Sequence, residues 1–402
     1  MLNNKKILIG ITGGIAAYKI LILISKLIKQ NCQIKVIMTK NAEKFITKLA
    51  VQTISQNKVY TDMFATDDFE IDHIALADWA DLMIVAPATA NIIGKFANGI
   101  ADDLLSTTFL SFSSSKKIFI APAMNSKMYE NFIVRKNIEK LKESNKNLNI
   151  IAPDEGILAC GAKGIGRLPE PEIILEYIDN FLYFDNLPLK GKKIVITAGP
   201  TREYIDPVRY ISNDSSGAQG YAIANACAGA GADVILISGK VSNSIALINT
   251  IKKIDVIDSA EMFEAVKNNF KNSDIFISCA AVADYKPLDY SANKLKKDND
   301  DLMLRLTKTQ DILEWCGKNK KKQIIVGFAA ETENLIENAK LKMQKKKYDL
   351  LIANSTENIG KSTNKIFVLS KDNIQEFSET AKQETAKIIV SAILKKINEY
   401  TN

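Results

Sequence analysis

Two stretches of the chain share one pattern of apolar and polar positions. Lys6-Ile-Leu-Ile-Gly-Ile-Thr-Gly-Gly and Lys192-Lys-Ile-Val-Ile-Thr-Ala-Gly-Pro-Thr each run from a short β-branched segment into glycine. A helical stretch and a second apolar run follow each, Ile34 to Met38 and Asp233 to Ile237. Strands alternating with helices predict parallel sheets covered on both faces. In the first half, further strands are expected at 82–85, 118–121 and 149–151, and helices at 14–30, 89–97, 101–111, 126–142 and 170–182. The second half is expected to hold strands at 193–197, 233–237, 254–257, 274–278, 324–328 and 349–353, with a late one near 366–369. Its helices are expected at 218–230, 259–270, 333–346 and 379–398.

The expected fold class is α/β, two tandem doubly wound Rossmann-like domains with mainly parallel sheets. Asp185-Asn-Leu-Pro-Leu-Lys-Gly reads as the break, because Pro and Gly punctuate it. The expected domains are 1–183 and 191–402, with 184–190 as linker. The length of 402 residues agrees with two domains of ordinary size.

Charged residues are 25% and hydrophobic ones 47%, which excludes wholesale disorder. Five Cys without metal-ligand spacing and a single His argue against a zinc site. The net charge of +7 raises nucleic acid as a partner. However, the lysine runs Lys320 to Lys322 and Lys345 to Lys347 carry no interleaved aromatics. They read as solvated faces, and no nucleic-acid partner is expected. The most apolar stretch, Ile7 to Ile24, is interrupted by Gly13-Gly14 and Lys19, so no membrane span is expected. No leader pattern precedes the first strand, and the protein reads as cytoplasmic.

Gly10-Ile-Thr-Gly-Gly-Ile-Ala-Ala ends a strand and opens a helix. Backbone N–H groups exposed there suit a phosphate; a tight structural turn is the other reading. A dinucleotide site would place an acid after the second strand, where this chain has Met38-Thr39-Lys40. The pattern therefore favours a mononucleotide such as FMN. Pro87-Ala88-Thr89-Ala90-Asn91 and Ala121-Pro-Ala-Met-Asn125-Ser-Lys-Met128 follow buried strands, where such sheets bind ligands. Either Asn reads a polar group or caps the next helix. His73, the lone imidazole, lies in Phe69-Glu-Ile-Asp-His-Ile-Ala-Leu just ahead of a strand, a candidate for proton transfer or a structural group. Glu155-Gly-Ile-Leu-Ala-Cys160-Gly-Ala-Lys-Gly-Ile-Gly-Arg167 is too glycine-rich for a helix or strand and reads as a mobile flap. Its Cys160 thiol could donate a proton.

These five motifs, in order over residues 1–183, resemble the homo-oligomeric flavin-containing cysteine decarboxylases. Within them they look like the phosphopantothenoylcysteine decarboxylase domain of coenzyme A biosynthesis. The resemblance implies FMN at Gly13, Gly14, Ile15, Thr39, Pro87, Ala88, Thr89 and Asn91. It implies His73 as base in the oxidative step, Asn125 on the departing carboxylate and Cys160 as proton donor to the enethiolate carbon. It also implies a homo-oligomer.

The second half carries its densest polar stretch from Thr197 to Gly217, which includes Arg202, Arg209 and Asn213. Hydroxyls and Gly at a helix start are the parts of a phosphate cradle, although no P-loop motif is present; a long surface turn is the other reading. In Ser278-Cys-Ala-Ala-Val-Ala-Asp284, small residues would let a flat base lie on the backbone. Lys294-Leu-Lys-Lys297 is basic, and Phe328 offers a stacking surface. Lys342 and Lys346 share a helix face that is either solvated or reaches phosphates.

Residues 190–400 resemble phosphopantothenate–cysteine ligase, and the bacterial fusion of the two activities has this domain order. The likeness implies ligation of 4′-phosphopantothenate to cysteine with CTP through an acyl-cytidylate, with Mg²⁺ held mainly by the CTP phosphates. It implies Asn213 holding that intermediate, Arg209 beside it, and Lys294 acting in amide formation. It places Ala281, Val282, Ala283, Asp284, Lys294, Gln310, Asp311, Ile312, Leu313, Phe328, Lys342 and Lys346 at the nucleotide. A flavin-binding regulatory subunit is the alternative, disfavoured because His73 and Cys160 are both retained.

Overall fold

The computed structural model describes residues 1–64, 72–157, 163–185, 187–241, 245–296, 302–331, 343, 347–355, 361–371 and 373–401. The chain divides into two compact units, Met1–Leu182 and Tyr183–Asn402.

The first unit runs β1 (Lys6–Ile11), α1 (Tyr18–Ile28), β2 (Gln33–Met38), α2 (Lys48–Ser55), β3 (Val59–Tyr60), α3 (Asp72–Trp79), β4 (Leu82–Ala88), α4 (Ala90–Asn98) and α5 (Leu104–Ser111). It continues through β5 (Lys117–Pro122), α6 (Ser126–Tyr129), α7 (Phe132–Ser144), β6 (Leu148–Ile150), β7 (Asp154–Ile157), β8 (Lys163–Arg167) and α8 (Pro171–Tyr183). Its six-stranded sheet has the order β3-β2-β1-β4-β5-β6, parallel throughout. The central strands are buried on both faces, which explains why β4 is apolar from end to end. On α1, Ile20, Leu23, Ile24 and Leu27 form the buried stripe. Thr89 caps α4 by accepting the Ile92 N–H, and Gly99, in the left-handed region at φ 68°, ends it.

The second unit runs β9 (Lys193–Ala198), β10 (Arg202–Tyr204), β11 (Tyr210–Ser212), α9 (Ala218–Gly229), β12 (Asp233–Ser238), β13 (Lys252–Asp255), α10 (Ser259–Phe270), β14 (Ile275–Ser278) and β15 (Tyr285–Pro287). Then follow β16 (Leu306–Lys308), α11 (Ile312–Asn319), β17 (Ile324–Glu331), β18 (Leu350–Ser355), β19 (Thr363–Leu369), β20 (Ile374–Ala381) and α12 (Lys382–Thr401). Its main sheet has the order β13-β12-β9-β14-β17-β18-β19-β20. The first six strands are parallel, and β19 and β20 are added antiparallel. In the main sheet of each unit the first strand lies between that sheet's second and fourth strands in chain order, β1 between β2 and β4 and β9 between β12 and β14, so both sheets switch direction there. Ligands of doubly wound sheets bind at this switch point, beyond the carboxyl ends of the strands.

The structure differs from the sequence reading in several places. The glycine-rich segment is not shapeless: β7 and β8 pair antiparallel, with Gly156 opposite Gly164. Glycine here serves close approach, since a Cβ on Gly166 would lie 2.1 Å from the Met124 carbonyl oxygen. His73, just ahead of β4, lies in the first turn of α3, a helix absent from the expected set. The expected helix 126–142 is two, broken where Asn131 caps α7. The expected helix 379–398 starts only at Lys382, because β20 holds its first residues. The expected helix 333–346 lies outside the described residues except for Met343. Leu189, expected in the linker, is buried, and its N–H donates to Ala230 O at 2.9 Å.

Candidate functional site

In the first unit a cavity of about 1010 Å³ opens at the switch point. The β1–α1 turn, the start of α4 and the loop before α6 form its wall. It gathers Gly13, Gly14, Ile15, Thr39, Thr89, Asn91 and Asn125 from the expected set. Pro87 and Ala88 do not line it; they are buried at the end of β4. Their role is to fix the turn: Thr12 Oγ1 donates to Pro87 O at 2.6 Å and accepts from Thr89 N at 3.1 Å.

The turn is built for close backbone approach. A Cβ on Gly13 would meet Asn41 Cβ at 2.5 Å and the Asn41 backbone carbonyl carbon at 2.9 Å. The turn Ile15–Ala17 has no side-chain cap, and N–H groups at such a helix start suit an anion. These features fit a flavin mononucleotide phosphate. Asn125 lines the cavity, and its Oδ1 accepts from Lys127 N at 3.0 Å as the cap of α6.

Several lining residues were not foreseen. Lys19 is buried and donates to Leu168 O at 3.2 Å and to Glu170 Oε1 at 2.8 Å. Lys95 pairs with Asp102 and Asp103, each at 2.6 Å. The available signal was Lys19 itself, a charge inside an apolar helical stripe. The β7–β8 hairpin is fastened at its base, where Gly166 O accepts from Met124 N at 2.9 Å. Cys160 lies outside the described residues. His73 is half-buried on α3 and does not line the cavity.

In the second unit the polar turn and two strand-end loops interlock. Asn213 Nδ2 donates to Ala281 O at 3.3 Å and to Val282 O at 3.0 Å. Thr201 Oγ1 accepts from Ala283 N at 3.0 Å. Thr309 ties the next segment in: its N–H donates to Asp284 O at 2.9 Å and its hydroxyl to Ala283 O at 2.6 Å. That bond brings Gln310 and Asp311 to the same loop. Asp311 caps α11 by accepting from Glu314 N, and Ile312 turns into the core while Leu313 packs partly against it. Phe328 is half-buried on β17, next to β14. Lys342 and Lys346 lie outside the described residues.

Asp206 organises this site. Its carboxylate is fully buried and accepts from Val208 N and Arg209 N at 2.8 Å and from Leu295 N at 3.2 Å. Burial opposes its charge, but these N–H groups and the Arg209 guanidinium outweigh it and hold the carboxyl below the usual carboxylate range. Arg209 Nη2 also donates to Leu295 O at 3.0 Å. The exposed Lys294 thus stands beside a residue held on both sides. Asp206→Asn should free it: the Leu295 amide proton should exchange roughly tenfold faster, read by hydrogen exchange. Unchanged protection at Leu295 would show that Arg209 alone holds the segment.

Among the described residues no cluster of three or more His, Cys, Asp or Glu could hold a metal, and no helix is long and apolar enough to cross a membrane.

Comparison with known proteins assigns a family to each unit. Residues 1–183 match the flavoprotein family. Residues 189–397 match the DNA/pantothenate metabolism flavoprotein C-terminal domain. The coenzyme A biosynthesis bifunctional protein CoaBC of Bacillus subtilis (strain 168) is 47% identical, over 92% of this chain and 92% of the relative. Its counterpart in Borreliella burgdorferi (strain ATCC 35210 / DSM 4680 / CIP 102532 / B31) is 43% identical, over 97% of this chain and 99% of the relative. A crystal structure of the C-terminal domain of such a protein is 36% identical and covers 53% of this chain and 100% of its own, with a TM-score of 0.46. Identity of this degree along nearly the whole of both chains shows that the chain belongs to the family of coenzyme A biosynthesis bifunctional proteins.

Proposed function

We propose that the second unit joins 4′-phosphopantothenate to cysteine at the expense of CTP, and that the first decarboxylates the product, 4′-phosphopantothenoylcysteine, to 4′-phosphopantetheine with FMN. The observation that carries this reading is that the two matched families fall one on each unit, in the order of the bifunctional relatives. In the second unit the 4′-phosphopantothenate carboxylate attacks the α-phosphate of CTP and pyrophosphate leaves. Cysteine's amine then displaces CMP from the acyl-cytidylate. Asn213 holds this intermediate, Arg209 lies beside it, and the Lys294 ammonium balances charge as CMP departs. Mg²⁺ rides on the CTP phosphates.

In the first unit the Gly13–Gly14 turn, Thr39, Thr89 and Asn91 hold the FMN. When bound, FMN supplies a reversible two-electron oxidation at the thiol-bearing carbon. Asn125 orients the substrate carboxylate over the cavity, and Cys160 returns a proton to carbon. His73 serves as the base of the oxidative step. It stands off its own cavity, and Ile15, Tyr18 and Met128 leave the rim apolar and exposed. Both facts support a homo-oligomer whose neighbouring copy completes the site. The substrates are soluble metabolites, and we assign the enzyme to the cytoplasm.

Anaerobic incubation with 4′-phosphopantothenate, cysteine, CTP and Mg²⁺ tests the whole reading. Carbon dioxide, CMP and pyrophosphate should appear together, and release of none of them would overturn it. His73→Asn should keep its flavin and lose bleaching by substrate, whereas unaltered bleaching would make His73 structural. A chain cut after Tyr183 should yield a yellow, oligomeric N-terminal piece and a colourless piece that still consumes CTP. The cut belongs there because Phe184 and Leu189 are buried residues of the second unit. Flavin remaining with the second piece would overturn the division of labour.

A further inference from the structure

Four elements of the second unit converge at the carboxyl edge of its sheet: the head of α9, the head of α12, the start of β19 and the residue after β14. Lys382, the first residue of α12, is only 8% exposed. No carboxylate or other acceptor among the described residues meets its ammonium, whereas the neighbouring Lys387 pairs with Glu384 at 2.7 Å. Its carbonyl accepts from Gln219 Nε2 at 3.2 Å, and Gln219 Oε1 accepts from Asn364 Nδ2 at 3.2 Å. Asn364 is 4% exposed, and its Oδ1 is buried without a partner. Cys279 is the titratable neighbour that acts on Lys382. Burial pushes that thiol up to about 12, so it is neutral and supplies no counter-charge. Burial likewise pulls Lys382 down from its ordinary value.

The Lys382 side chain is thus largely covered while its ammonium reaches the surface of this edge and no group among the described residues meets it. Its surroundings point to what meets it. Cys279 N donates to Thr197 O, and the following Ala280 N to Thr197 Oγ1, so this is the switch point between β9 and β14. The α9 helix begins there after Gly217, at φ 74° and with no side-chain cap. Gly220 in its first turn packs so closely that a Cβ would lie 2.6 Å from Ala198 Cβ. The positive end of a twelve-residue helix and an unpaired cation therefore share one edge.

We propose that Lys382 is the cation of a phosphate subsite at the head of α9, taking a phosphate group of a ligand of the second unit. The inference rests on the ligase reading above and adds a residue to it. Gln219 and Asn364 are positioning residues: their amide chain fixes the Lys382 backbone against α9. The phosphate has two sources, the CTP triphosphate and the phosphate ester of 4′-phosphopantothenate.

The test uses the full-length flavin-loaded chain, titrated separately with CTP and with 4′-phosphopantothenate by calorimetry. Wild type, Lys382→Met and Lys382→Arg are compared. Losing a charge-assisted contact predicts roughly ten- to a hundredfold weaker binding in the Met variant for one of the two ligands, and that ligand names the source. The Arg variant should stay within about threefold of wild type, because the charge is kept. The thermal midpoint of the Met variant should not fall, since the ammonium has no partner among the described residues to lose and the covered part of the side chain stays apolar. Unchanged affinity for both ligands in a folded Met variant would overturn the proposal. So would a Met variant that fails to fold, or a lowered midpoint with equal loss for both ligands, since each would make Lys382 structural. A wild-type chain that binds neither ligand would refute the ligase reading, and this proposal with it.

Discussion

Gly13→Ala is expected to give a colourless protein that still consumes CTP. The new Cβ would stand 2.5 Å from Asn41 Cβ and 2.9 Å from its carbonyl carbon. Both belong to the segment after β2, which forms the far wall of the cavity, and backbone cannot swing aside as a side-chain end does. Overpacking of this kind costs about 1–3 kcal/mol. Here it pushes the turn away from the position where its N–H groups would meet a phosphate. Flavin affinity should fall roughly ten- to a hundredfold, and decarboxylation with it. The flavin-to-protein absorbance ratio of the purified enzyme measures this, and pyrophosphate release from CTP serves as the internal control. A yellow Gly13→Ala protein with the wild-type ratio would show that the turn is structural. Gly14→Ala makes the contrast, because its Cβ would meet nothing nearer than Thr89 Cγ2 at 3.7 Å.

Lys294→Gln is expected to release pyrophosphate from CTP and 4′-phosphopantothenate at close to the wild-type rate, yet to form amide roughly a hundredfold more slowly. Glutamine keeps length and polarity and removes only the charge. The substitution should leave the fold alone, because Lys294 is exposed and its neighbour Leu295 is held through backbone atoms. Rapid-quench measurement of CMP and amide after cysteine addition separates the two steps. Amide formation at the wild-type rate would return Lys294 to the solvated lysines. An equal loss of pyrophosphate release would move it to the first step.

The parallel sheets were legible because their central strands are runs such as Leu82 to Val85, which nothing but a doubly covered strand accommodates. The cavity wall was legible where it is made of strand-end loops, since Gly13, Thr89 and Asn125 sit at fixed offsets from those runs. What escaped depends on tertiary contact. The β7–β8 hairpin pairs glycines that carry no strand propensity and is held by Met124, more than thirty residues earlier. Short helices such as Lys48–Ser55 and Asp72–Trp79 have few buried residues, so their period is faint. Asp206 gave no sign of its burial, because its partners are main-chain N–H groups of two separate loops. Lys382 was hidden for a related reason: it follows a strand whose exposed residues look helical until pairing with β19 decides otherwise.

The Asp206 clamp also bears on the cost of ordering. The excursion between β15 and β16 would, as one free loop, lose its conformational freedom all at once when a ligand arrived. With Leu295 held by Asp206 and Ser291 N donating to Ile205 O, part of that entropy is already spent in the described residues before Lys296. Ligand binding energy that would otherwise go into fixing Lys294 then remains for tighter binding, and for speed where the contact strengthens in the transition state.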